Sequence, residues 1–163
     1  PILPRPALGA PVRGRFTFFV GTMSRELAAF PVRVYWEDTD AGGIVYHANY
    51  LKFMERARSS LLSRLNVSQN AELSNPQGVL FVVADAALKY RRAARLDDEL
   101  TVHTKIETLR RASIVFEQIV KRGDETIVEG RIRVGVVSAQ TFAPAPLPDA
   151  LYERIAELAE PAA

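Results

Sequence analysis

Along residues 49–65 the apolar positions Tyr50, Phe53, Met54, Ala57, Leu61 and Leu65 recur three and four apart. That spacing is one face of an α-helix. Leu51 and Leu62 widen the stripe, so much of the helix surface is expected to be covered. At 1.5 Å per residue the helix would be a rod of about 25 Å. Most of the remaining pattern has a period of two. PVRVYWE at 31–37 is rich in β-branched and aromatic residues and reads as a strand. In 79–91, Leu80, Val82, Ala84, Ala86 and Leu88 alternate. In 98–108, Leu100, Val102 and Ile106 take one face, and Thr101, His103, Lys105 and Glu107 the other. SIVFEQIVK at 113–121 and TIVEGRIRVGVVSA after it are joined through Gly123-Asp124, a hairpin signal. Val128, Ile132, Val134 and Val136 share a face of the last strand, opposite Glu129, Arg131 and Arg133. Residues 66–78, with Asn66, Asn70, Asn75, Pro76 and Gly78, read as a loop. After the proline-rich 139–148, DALYERIAELA at 149–159 predicts a short closing helix.

The order is therefore strand, long helix, four consecutive strands, short helix. An antiparallel sheet with one apolar face needs a cover, and the long helix is the natural one. The expected fold is α+β: a five-stranded antiparallel sheet wrapped around one central helix, the hotdog arrangement. Its open sheet edges invite a second copy of the chain.

Composition narrows the chemistry. The chain has 163 residues, 48% hydrophobic and 25% charged, which suits a single folded domain. With no cysteine there is no disulfide framework, no thiol nucleophile and no thiolate metal site, a composition that fits a reducing cytoplasm. Two histidines, His47 and His103, make a His-rich zinc site a poor expectation. The isoelectric point near 9.2 points toward nucleic acid until its source is located. Residues 1–22 hold Arg5, Arg13 and Arg15 and no acid, which leaves 18 basic against 19 acidic residues in the rest. The body is near neutral, so no nucleic-acid partner is expected. The same 22 residues carry four prolines and three glycines, and FTFFV at 16–20 is too short to span a bilayer. They are expected to be an irregular extension, from upstream translation or a cloning addition, with one domain over 23–163 starting at Met23.

EDTDAGGIVYHANY, 37–50, is where chemistry is expected. DTDAGG starts like a calcium loop, but Gly42 stands at the fifth position and Asn49 replaces the bidentate glutamate at the twelfth, so no metal is expected. The chain has no G-x-S-x-G, no P-loop and no G-x-G-x-x-G. What remains is a carboxylate, a glycine pair and a histidine leading into a helix. Glycines at 42 and 43 allow positive φ and close approach of a ligand. The first N–H groups of the helix, around Tyr46 to Asn49, lack intrahelical partners and carry the positive end of its dipole. They suit a developing oxyanion, at about 3 kcal/mol per donor. Asp40 is then placed to attack the polarised carbonyl or to activate water against it. Acyl transfer to water is the reaction this would serve. The plainer alternative is a turn in which Asp38 or Asp40 satisfies backbone N–H groups and His47 is a cap.

VYWEDTDAGGIVYHANYLKFMERARSSLL, 34–62, closely resembles the 4-hydroxybenzoyl-CoA thioesterase-like hotdog enzymes, and within them the YbgC branch, acyl-CoA thioesterases associated with the Tol–Pal system. The D-x-D-x-x-G-x-V-Y-H-x-x-Y run carries the likeness, which extends more weakly over about 23–159, including FVVADAALKYRRAARLDDEL at 81–100. The resemblance implies that Asp40 is the catalytic aspartate, that the N–H of His47 polarises the thioester carbonyl, and that the His47 side chain assists. It also implies hydrolysis of an acyl thioester of CoA or acyl carrier protein to acid and free thiol. No cofactor is implied beyond the CoA of the substrate. A cytoplasmic homo-oligomer, dimer or tetramer, is the family's expected state.

Around this centre, Gly43, Tyr46, Asn49 and Tyr50 are candidate substrate-binding residues, although Tyr50 heads the apolar stripe and Asn49 also suits a helix cap. Lys89, Arg91, Arg92 and Arg95 form a cluster fit for CoA phosphates, with Arg110 and Arg111 weaker candidates. Glu55, which could serve as a helix-borne carboxylate, is expected to make a surface pair with Arg58. His103 is expected on an exposed strand face. Two other functions stand beside hydrolysis: a non-hydrolytic acyl or acyl-carrier-protein scaffold in envelope lipid metabolism, and a hotdog dehydratase.

Overall fold

The computed structural model describes residues 26–159. The expectation for residues 1–22 and for a start at Met23 lies outside the described residues. The chain runs β1 (Ala28–Arg33), a 3₁₀ turn at Trp36–Asp38, α1 (Asn49–Arg64), α2 (Gln69–Ser74), β2 (Val79–Tyr90), β3 (Glu99–Arg110), β4 (Ser113–Arg122), β5 (Glu125–Ser138) and α3 (Asp149–Ala159). All strands are antiparallel in one sheet of order β1-β3-β4-β5-β2. Strands β3, β4 and β5 form a meander, turned at the second hairpin by Gly123 with φ +57°. The chain between β1 and β2 must pass from one sheet edge to the other, and α1 makes that passage across the concave face. This is the expected hotdog arrangement.

The period-two faces of the meander close the core. Leu100, Val102 and Ile106 of β3, Ile114, Phe116 and Val120 of β4, and Val128, Ile132, Val134 and Val136 of β5 are all buried. They meet Phe53, Met54, Ala57 and Leu61 of α1 in one cluster. Burial of each such side chain stabilises the fold by about 1.5–3 kcal/mol before entropy is counted. Close approach of helix to sheet requires Gly130, where an added Cβ would lie 2.7 Å from Met54 Cε. At the far end α3 buries Leu151 and Ile155.

The structure corrects five expectations. The first strand ends at Arg33, and Trp36–Asp38 tightens into a 3₁₀ turn because Asp38 ties its own segment down through Tyr35 N. Within the expected loop, Gln69–Ser74 forms a helical turn capped by the Ser68 hydroxyl on Ala71 N, 3.3 Å. Leu51 is 36% exposed and stands outside the helix's covered face. Strand β2 does not keep one apolar face. A bulge between Val83 and Asp85 shifts its register, so that Phe81 and Leu88 pack on the core while Leu80 and Val82 do not. Finally, Glu55 and Arg58 are not a surface pair. Arg58 is buried and donates to Gln118 Oε1 at 2.6 Å, whereas Glu55 accepts from the Ser59 hydroxyl. Glu55 and Ser59 are one turn apart on α1, which gives the carboxylate a nearer partner. His103 lies on the outer face as expected, partly exposed, and meets Glu26 Oε1 at 2.7 Å.

Candidate active site

Two carboxylates two residues apart are put to different uses. Asp38 is 5% exposed; its Oδ2 accepts from Tyr35 N, and its backbone carbonyl accepts from Tyr46 N and Asn49 Nδ2, each at 2.9 Å. It is a brace that ties the strand side of the loop to the helix side. Asp40 is exposed. Its Oδ1 accepts from Gly42 N at 2.8 Å, and Oδ2 has no partner among the described residues.

Residues 39–45 form a miniature hairpin. Asp40 N donates to Ile44 O and Gly43 N to Asp40 O, and a bridge pairs Thr39 with Val45. Gly43 takes φ +72°, a conformation that costs an ordinary residue about 1–2 kcal/mol. Val45 then anchors the second arm through its N–H to Ala94 O at 2.8 Å. The arm delivers Tyr46, His47 and Ala48 to the start of α1.

That start is uncapped: no side chain among the described residues accepts from it. The N–H groups of Tyr46 and Asn49 are taken by the carbonyls of Asp38 and Tyr46. Those of His47 and Ala48 meet no backbone carbonyl among the described residues. An uncapped helix terminus with spare donors favours an anion or a polarised carbonyl. The arrangement can therefore hold an oxyanion on one arm of the loop and a free carboxylate oxygen on the other.

The expected binding residues fall into three groups. Gly43, Tyr46 and His47 are exposed around the loop, with the Tyr46 and His47 rings 4.4 Å apart. Asp40 and His47 lie on opposite arms and share no direct hydrogen bond among the described residues. Asn49 and Tyr50 are buried instead: Asn49 braces Asp38, and the Tyr50 hydroxyl accepts from Ala94 N at 3.2 Å. Burial pushes the Tyr50 hydroxyl above its ordinary pKa, against the pull of that N–H. In the basic cluster, Lys89 is exposed, Arg91 pairs with Glu129 at 2.8 Å, and Arg92 bonds the Arg91 carbonyl and approaches Glu125 at 3.6 Å. Arg111 pairs with Asp149 and covers the Tyr152 ring.

One hydrogen bond to this loop was not legible in the sequence. Tyr90, at the end of β2, donates its hydroxyl to the His47 carbonyl at 2.9 Å, with its ring 5.8 Å from that of Tyr50. Forty-three residues separate donor and acceptor, and no local spacing signals such a pair. Among the described residues no group of three or more acidic or histidine side chains is placed to hold a metal.

A family model described as the thioesterase superfamily matches residues 42–129. The chain is 44% identical over 120 residues to the acyl-CoA thioesterase YbgC of Haemophilus influenzae, covering 74% of this chain and 88% of the relative. It is 41% identical over 130 residues to the acyl-CoA thioester hydrolase YbgC of Escherichia coli O6:H1, covering 79% and 96%. Among solved structures, a probable thioesterase from Bartonella henselae superposes with a TM-score of 0.70 at 33% identity, covering 74% of this chain and 98% of that one.

Proposed function

The chain belongs to the thioesterase superfamily, in its YbgC branch, and on that premise we propose an acyl-CoA thioesterase that hydrolyses an acyl thioester to a carboxylic acid and free CoA at the 40–49 loop. The observation that carries this reading is the pairing of the exposed Asp40 carboxylate, with Oδ2 unengaged, and the uncapped start of α1 on the two arms of one small hairpin.

The thioester carbonyl oxygen sits against the N–H of His47, which polarises it. In one route an Asp40 oxygen bonds to the carbonyl carbon, the C–S bond breaks, CoA leaves as thiolate, and water opens the mixed anhydride to release the acid. In the other, water bonds to that carbon while Asp40 takes its proton, and the proton passes to the departing sulfur. Both routes need the same ionised carboxylate in the same place. The thiolate is a tolerable leaving group, so neither route needs a metal or a cofactor beyond the CoA of the substrate. The His47 side chain, exposed beside Tyr46, orients the thioester or the water. Lys89, Arg91 and Arg92 receive CoA phosphates, which would displace Glu129 and Glu125 from the two arginines. Acyl carrier protein is the other carrier for the same chemistry.

The same proposal includes a second copy of the chain. β2 is a sheet edge of twelve residues, exposed from Val83 to Ala86. The opposite edge, β1, is six residues long and carries Pro31, both features that discourage pairing. A dimer through β2, two of which make a tetramer, in a cytoplasmic enzyme beside the Tol–Pal system, completes the reading.

The test is free-thiol release from a chain-length series of acyl-CoAs and acyl carrier proteins, comparing the protein with Asp40→Asn. Loss of about 10²- to 10⁴-fold in a variant that keeps its unfolding midpoint is the expected result. Negligible and equal turnover by both proteins would leave a non-hydrolytic acyl-binding scaffold as the better account.

A further inference from the structure

Arg58 is an oddly placed cation. It is 8% exposed, yet among the described residues it has no carboxylate within ion-pair reach. Burial pulls its pKa below the ordinary arginine value, with Glu55 pulling the other way. Its hydrogen bond is to Gln118, and the orientation of that amide is forced. Gln118 Nε2 donates to Met54 O at 2.9 Å and to Thr104 Oγ1 at 3.0 Å. The backbone carbonyl only accepts, so Oε1 must face Arg58 and hold Nη1 at 2.6 Å. Gln118 and Thr104 are both fully buried in the sheet. The guanidinium is thus pinned from behind by a rigid amide.

Its other donors have somewhere to go. Among the described residues no side-chain nitrogen is both sealed from solvent and unpaired. The Arg58 nitrogens that Gln118 leaves over therefore open to accessible space. Arg58, Glu55 and Ser59 of α1 line a cavity of about 80 Å³ between the helix and the sheet, whose apolar wall is Leu62, Phe81, Ile114, Phe116 and Val134 and whose rim includes the exposed Val83 of the β2 edge. Largely apolar walls with a fixed cationic donor on one side, next to the Glu55 carboxylate and Ser59 hydroxyl that bond each other, describe a site for an apolar body that carries an oxygen. Leu51, Glu55, Arg58 and Leu62, spaced four, three and four, make one stripe along α1 from its start to this cavity. Leu51, the stripe residue nearest His47, is exposed as such a path requires. Arg58 lies about 14 Å along the helix from Asn49.

Resting on the thioesterase reading, we propose that this cavity is the acyl-end subsite and that Arg58 is a specificity-determining residue, selecting acyl groups with a hydroxyl or keto oxygen far from the thioester. An oxygen there completes the hydrogen bonding of the buried guanidinium, while an unsubstituted chain end strips water from it and gives nothing in return. Discrimination of this kind is strong because the penalty falls on the enzyme's own buried donor.

The test is thiol release by the full chain from length-matched pairs of saturated and ω-hydroxyacyl-CoAs, over medium and long chains. At the length that reaches the cavity, kcat/KM for the hydroxylated member is expected to be higher by about tenfold or more. Arg58→Met is expected to bring the two members within about twofold of each other, and Arg58→Lys to keep the direction of the preference. Equal kcat/KM within every pair for the wild-type protein would overturn the proposal without any variant having to fold, and is the result expected if a partner's side chain fills the cavity. A preference that survives Arg58→Met would overturn it equally. Thiol release from no member of any pair would instead sink the hydrolase reading, and this proposal with it.

Discussion

Two residues separate Asp38 from Asp40, yet one carboxylate is buried against a backbone N–H and the other stands in solvent with an oxygen to spare. The sequence allowed either aspartate to be the brace. The Thr39↔Val45 bridge divides them: Asp40 lies on its turn side, exposed, and Asp38 on its open side, tied to Tyr35 and Tyr46. Gly42 guards the placement of Asp40: a Cβ there would sit 3.0 Å from Asp40 Oδ1. Gly42→Ala is therefore expected to push the carboxylate by a few tenths of an ångström. Since misplacement by about 1 Å costs roughly 100-fold, kcat should fall about tenfold with little change in the thermal unfolding midpoint. Steady-state kinetics beside a melting curve checks this. Asn49 and Tyr50 show the converse case, motif residues whose side chains brace the site from beneath.

Element by element, the helix and the meander were plain from periodicity. The 3.6-residue pattern of 49–65 and the alternation in β3 and β5 each state a buried face directly. Besides the shifted bounds of β1, the strand misread was β2, where one bulge reverses which residues face the core, and a reversal of that kind has no period to betray it. In the proposed mechanism this strand matters because it ends at Tyr90, whose hydroxyl donates to the His47 carbonyl. Partial burial raises the Tyr90 hydroxyl above its ordinary pKa, which favours its donor form. Tyr90→Phe should remove this hold on the 47–48 peptide. Its expected effect is a fall of about fivefold to tenfold in kcat with KM little changed, because a hydrogen bond of this kind is worth about 1 kcal/mol. A change confined to KM would count against a positioning role.

For the whole molecule, the sheet has two unlike edges. β1 is short and holds Pro31, whereas β2 is long and exposed around its bulge. If β2 joins a second copy, Ala86→Lys, which places a charge on that edge, should shift the protein toward monomer in light scattering and sedimentation. An unchanged mass would move the interface elsewhere. The sequence by itself determined the α+β order, the helix that crosses the sheet and the loop on which Asp40 and His47 lie. Each of these is written locally, in a period of 3.6 or 2 or in a run of fourteen residues. Only the tertiary structure decided that Arg58 turns inward to Gln118, sixty residues away, and that Tyr90 reaches His47. It also placed β1 and β2 at the two edges of the sheet. Such pairings depend on which strands become neighbours and on where a bulge reverses a face, and neither has a signature in residues close together along the chain.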